Sequence, residues 1–139
     1  MTDFVSKTFK PVRLHVKTHP EAMGRFGANW TPTVMILDRD GKEQYRIEGY
    51  LPPDDFLGQL ELGAAHEAFK NGRFDEAEKR FRGIVESLPN TEAAAEAQYW
   101  AGVSKYKGSG DGSALKATAD AFKQRYADSA WAKKASIWA

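Results

Sequence analysis

The sequence contains no cysteine. That excludes disulfides, thiolate metal sites and any thiol redox chemistry performed by these residues alone. Long apolar runs are missing too. None approaches the ~20 residues of a membrane span, and Met1 to Lys10 has no apolar signal core. A chain with neither is expected to stay where it is made, in the cytoplasm. An excess of one charge is also lacking. Lys and Arg number 20 against 19 Asp and Glu, for a net charge of +1. No electrostatic case exists for nucleic acid or a membrane surface as partner. Nor does a glycine-rich phosphate loop follow a strand. "KGSGDGS" at 107–113 lies between helical stretches and lacks the Gly-Lys-Ser/Thr ending. No Ser/His/Asp order stands out, and no cofactor or metal is expected.

What is present belongs to a folded protein. The chain has 139 residues, 42% hydrophobic and 28% charged, enough for one ordinary domain or two small ones. Val12, Leu14 and Val16 alternate with Arg13, His15 and Lys17, which predicts a strand with one buried face. "HPEAMGRFG" (19–27) predicts a short helix, with Pro20 near its start and Gly27 as its stop. "TVMIL" (33–37) is apolar on both faces, as in a central strand. "DRDG" (38–41) is a turn, and "KEQYRIEGY" (42–50) alternates again, so the two runs should pair as an antiparallel hairpin.

The second half reads as helix after helix. Prolines and acids at 51–56 open the first of these helices, which ends at "KNG" (70–72). The next covers about 74–88 and stops at Pro89. Thr91 is expected to cap a third helix and Asp111 a fourth after a loop at 107–113. Asp128 or Ser129 should cap a fifth, running to Ala139. The stretch also resembles itself about 38 residues on. Gly72 falls on Gly110, Ile84 on Phe122, Ala97 on Ala135 and Trp100 on Trp138, and the cap pair Asn90-Thr91 meets Asp128-Ser129. A repeated helix pair marks an α-solenoid.

Ala65, Ala68, Ala77, Phe81 and Pro89 give residues 62–139 their family likeness. The stretch resembles the tetratricopeptide repeat, with a longer loop at 107–113 and Ala127 where that repeat has proline. "EAQYWAGVSKYKGSGD" is similar to the repeat opening of Tol-Pal-associated periplasmic proteins. Residues 12–62 resemble the back of a thioredoxin fold. The order is strand, helix, Thr31-Pro32-Thr33, strand, "DRDG" turn, strand, Gly49, helix. Thr31-Pro32-Thr33 is similar to that family's cis-proline loop, which faces a Cys-x-x-Cys. The resemblance implies that the chain begins after that motif, without the first core strand and most of the first helix. A gap in the sheet follows. It would be closed by a remade three-stranded sheet, or by a homodimer through the edge at Val12–Val16.

Candidate sites carry alternatives. Pro32 either leaves the backbone of Thr31 free to pair with an extended peptide, or serves as a structural turn. Without cysteines the structural role is favoured. Trp30 is either a groove aromatic or a core plug. His15 and His19 would lie about 13 Å apart on a strand, at about 3.3 Å per residue, too far to share a metal. His66, alone on a helix, should be partly exposed. Asp54-Asp55, Asp38-Asp40 and Glu76-Glu78 suit capping and solvated roles rather than catalysis. Of Tyr99, Trp100, Tyr106, Trp131 and Trp138, most should pack the repeats. Tyr106 and Trp131 are the least tied to the pattern and so are peptide-contact candidates.

The expected fold class is α+β: a truncated thioredoxin-like sheet of about three strands at 1–62, then tetratricopeptide-like helices at 63–139. The expected function is a non-catalytic scaffold that binds a protein or peptide, with Trp30, Thr31, Pro32, Tyr106 and Trp131 as contact residues. The alternative is the C-terminal portion of a thiol-disulfide oxidoreductase whose Cys-x-x-Cys lies upstream of Met1.

Overall fold

The structure, a computed structural model, describes residues 1–139 and is α+β. A short N-terminal helix α1 (Thr2–Thr8) and α2 (Pro20–Arg25) precede a hairpin of β1 (Thr33–Leu37) and β2 (Glu43–Glu48). Then come α3 (Pro53–Lys70), α4 (Phe74–Ser87), α5 (Glu92–Ser109), α6 (Ser113–Gln124) and α7 (Ala130–Ala135), closed by a 3-10 turn over Ser136–Trp138.

The hairpin follows from its residues. Asp38 Oδ1 accepts the N–H groups of Asp40 and Lys42, both at 2.9 Å, which fixes the turn. β1 and β2 pair antiparallel, Val34 opposite Ile47, with an irregularity between Ile36 and Leu37. Ile36 and Ile47 are buried, on the face that meets α3. At Gly63 of α3 a side chain would collide with Ile36 and reach 3.0 Å from the Tyr45 ring. The missing Cβ lets strand and helix touch. On the opposite face Arg46 donates to the carbonyls of Phe26 (2.5 Å) and Gly27 (2.9 Å), tying down the end of α2.

The expected third strand does not form. The sheet has two strands, and residues 10–17 are exposed throughout, Val12 at 77%. From Lys10 to Leu14 no main-chain group bonds to another part of the chain. Alternation supplies a face to bury but no neighbour to bury it against, and a strand needs both. The sheet is therefore not remade with three strands within one chain. β1 keeps an open edge. Gly49 N–H donates to the Pro32 carbonyl at 2.8 Å, so the main-chain groups of Thr33 and Met35 point away from β2.

The helices follow the expected spacing closely. Leu62, Ala65 and Ala68 of α3, Ala77, Phe81 and Ile84 of α4, and Ala93, Ala97 and Ala101 of α5 form one continuous core. α3 runs unbroken through Leu62 and Gly63, so it faces the hairpin along one side and α4 and α5 along the other. From α3 on, each helix packs on the next, and α5 also touches both α3 and α7. The internal similarity has structural counterparts. Gly72 and Gly110 both take positive φ, 77° and 75°, where glycine alone is unstrained. Ile84 and Phe122 are both buried, as are Ala97 and Ala135.

Three end signals differ from expectation, the first being that the last helix stops at Ala135, short of Ala139, and gives way to the 3-10 turn. Thr91 precedes α5, but its hydroxyl donates back to the Leu88 carbonyl at 2.8 Å instead of accepting from the helix. The loop expected at 107–113 shortens to Gly110–Gly112, because α5 continues to Ser109. Asp111 does accept the Ser113 N–H at 2.9 Å, and Ser129 accepts the Ala132 N–H at 3.1 Å to cap α7.

Candidate functional site

An aromatic row crosses the molecule from the sheet to the last helix. Tyr45 of β2 stacks on His66 of α3, with ring centres 5.8 Å apart. His66 meets the edges of Phe81 (5.1 Å) and Trp100 (5.3 Å). Trp100 touches Tyr99 at 5.5 Å, and Tyr99 contacts Trp131 at 5.3 Å and stacks on Trp138 at 4.9 Å. Helix geometry explains the row. Glu96, Tyr99 and Trp100 stand three and four apart on α5 and so share a face. Trp131 and Trp138 are presented by α7 and its closing turn. Most of these rings are half-buried: they pack on one another and keep an accessible edge.

The polar groups in the row are sparse. The Tyr45 hydroxyl donates to Gln59 Oε1 at 2.6 Å, and burial raises its pKa well above the usual phenol value. His66 is held neutral. Burial, with help from Lys70, lowers its pKa to about 4. Burial also raises the Glu96 carboxyl, opposed by the Lys134 charge. The Lys134 ammonium sits 4.0 Å above the Trp131 ring.

The proline region is a second surface. The Thr31-Pro32 bond is cis. Thr33 Oγ1 donates to the Trp30 carbonyl at 2.6 Å. Trp30 is 66% exposed, so it is no core plug, and Tyr50, beside Gly49, is 80% exposed. Thr31 and Pro32 are exposed as well. Trp30, Thr31 and Pro32 are thus together, at the entrance of β1. Trp131 lies instead in the aromatic row. Tyr106, exposed at 38%, stands two turns beyond Tyr99 on the same side of α5 and touches none of the other rings in the row.

The remaining candidates have ordinary partners. Glu76 binds Arg73 (3.1 Å) and Arg80 (3.9 Å), and Glu78 binds Arg82 (2.9 Å). These line or flank a polar cleft of about 660 Å³ between the end of α1, the tip of β1 and α3–α4, where Arg73 also pairs with Glu67. His15 and His19 are exposed, and their side chains bond only to neighbours within the turn at 15–19. Nowhere do three His, Asp or Glu side chains come together as a metal cage.

Residues 5–64 match the family model of a thioredoxin-like domain. The hairpin, the Thr31-Pro32 turn and the first part of α3 lie within that match. No curated protein and no solved structure matches the chain. No helix is long and apolar enough to cross a membrane.

Sequence patterns do not single out Tyr45, Glu96 or Lys134, and they show His66 only as a lone histidine on a helix. The spacing of Glu96 to Tyr99 and Trp100 was a signal on α5. Nothing local placed Tyr45 against them, because that contact depends on how the hairpin lies on α3.

Proposed function

We propose that the chain is a non-catalytic protein-interaction module. Its cysteine-less thioredoxin-like unit and its tetratricopeptide-like helix pairs share α3. Together they bind a segment of a partner protein along the row Tyr45–His66–Trp100–Tyr99–Trp138. The single observation that supports this is the continuity of that row across β2, α3, α5 and the closing 3-10 turn. Aromatic rings offer large contact area at low entropic cost, and they dominate the energetics of protein contacts. The exposed Trp30, Thr31, Pro32 and Tyr106 are further contact residues.

The test is a selection of displayed peptides on the full chain, followed by amide-exchange footprinting of the bound state. Binding that protects α5 and α7 and falls about tenfold or more in Tyr99→Ala supports the role. Binders that leave those helices unprotected, or an absence of binders, refute it.

A second role is favoured by the unpaired backbone at both Lys10–Leu14 and the free edge of β1. Reciprocal pairing of Val12–Val16 with β1 of a second copy would satisfy both and make a homodimer.

A further inference from the structure

No hydrogen bond and no ion pair links residues 1–14 to the rest of the molecule. α2 is as short as α1, yet Arg46 holds its end through two carbonyls. α1 has no side-chain cap and no fully buried residue. Phe4, Val5, Thr8 and the adjoining Phe9 are half-buried, and the other residues of α1 are exposed. A helix this short does not hold in water by itself, so those few contacts keep it in place. The stretch that follows, Lys10 to Leu14, is exposed and has no main-chain bond to break. It is a ready hinge.

α1 rests on the α3–α4 surface between two clefts. On one side Phe4 shares a cleft of about 440 Å³ with Glu61 of α3 and with Gly83 and Ser87 of α4. On the other, Thr8 and Phe9 share the cleft of about 660 Å³ with Ile36, Leu37 and Asp38. The seat of α1 thus ends beside the Leu37 end of β1, whose edge is free. Only Phe9–Pro11 separate α1 from Val12, and three residues span at most about 11 Å. A copy that lays Val12–Val16 along β1 of a second copy therefore carries its α1 to the seat on that same copy. Entering from the Leu37 end, the new strand runs antiparallel to β1. α1 meets the same side chains in either seat, so its own contacts are neither gained nor lost by the exchange. What the pair of chains adds is the main-chain bonding of two strand edges.

We infer that the homodimer forms by exchange of N-terminal arms: α1 of each copy seats Phe4 and Phe9 on the α3–α4 surface of the other, and Val12–Val16 pairs with the other's β1. This rests on the strand-pairing role proposed above and adds the exchanged element and the surface that receives it.

The experiment uses the full chain, which has no cysteine, so that introduced thiols alone carry spin labels. Ser6 on α1 and Ser87 at the end of α4 are both exposed. The labelled Ser6→Cys/Ser87→Cys chain is mixed at low concentration with an excess of unlabelled native chain and then concentrated. Pulsed electron resonance then reads the distance between labels within one chain. Light scattering on the same samples gives the mass, and circular dichroism verifies the fold. At dilution the mass should be that of one chain and the distance short. As the mass rises toward two chains, the distance should lengthen by at least the ~10 Å width of one helix, because the label on α1 then sits on the other copy. A doubled mass with the distance unchanged would overturn the exchange and leave the strand-paired homodimer standing. A single-chain mass at every concentration would overturn both.

Discussion

His66 gives the fold a pH dependence that its own helix does not announce. Burial between Tyr45, Phe81 and Trp100, with Lys70 nearby, lowers its pKa to about 4 from 6.5. Below pH 6.5 the unfolded chain takes up a proton that the folded chain refuses until about pH 4. Stability therefore falls as pH drops through that window, by up to about 3 kcal/mol, and is unaffected above it. Glu61 and Glu96, raised by burial, act in the opposite direction as they protonate. Comparing native and His66→Phe chains cancels their part. Urea unfolding at pH 7 and pH 4 should show a smaller acid loss in the variant, and equal losses would disprove the assignment. Ser104 presents a simpler case. Its hydroxyl is fully buried on α5 with no hydrogen-bond partner. Ser104→Ala should stabilise the protein by about 1 kcal/mol in the same measurement, since an orphan hydroxyl costs that much or more.

Among the elements, α5 carries most of the structure's joints. It meets α3 at Ala93, contributes Ala97 and Ala101 to the core, and meets α6 at Gly102. A side chain at Gly102 would collide with Thr118, whose own hydroxyl donates to the Ala114 carbonyl at 2.7 Å. Gly102→Ala should thus force α5 and α6 apart and cost about 1–3 kcal/mol despite alanine's better helix propensity. A rise in melting temperature would show instead that the two helices can separate freely. The helical spans were legible because apolar spacing, prolines and glycines punctuate them locally. Val12–Val16 departs from its strand pattern for the converse reason. Its alternation is genuine, but whether it becomes a strand depends on a neighbour that its own sequence does not specify.

Across the molecule as a whole, burial is lopsided. The helices hold nearly all of the core, while only Ile36, Gln44 and Ile47 of the hairpin are buried. A two-stranded sheet is marginal alone, so this one depends on α3. It leaves an open edge on β1 and an unbonded, exposed stretch at 10–14. If these pair between copies, light scattering should give a mass that rises from one chain toward two with concentration. Leu14→Lys should hold it at one, because a charge inside the new sheet face is costly. A single-chain mass at every concentration would rule the dimer out.

Local pattern and composition are enough to set the helices, the hairpin and its turn, the lack of thiol chemistry, and the likeness of 12–62 to a thioredoxin fold. Each of these is written in spacings of a few residues or in the residue types themselves. Only the folded arrangement leaves Trp30 exposed and Val12–Val16 unpaired, and only it joins Tyr45, His66, Trp100, Tyr99 and Trp131 in one chain of ring contacts. Those facts join residues dozens of positions apart. They are set by how the hairpin lies on α3 and how α3, α5 and α7 align, and no local pattern encodes them.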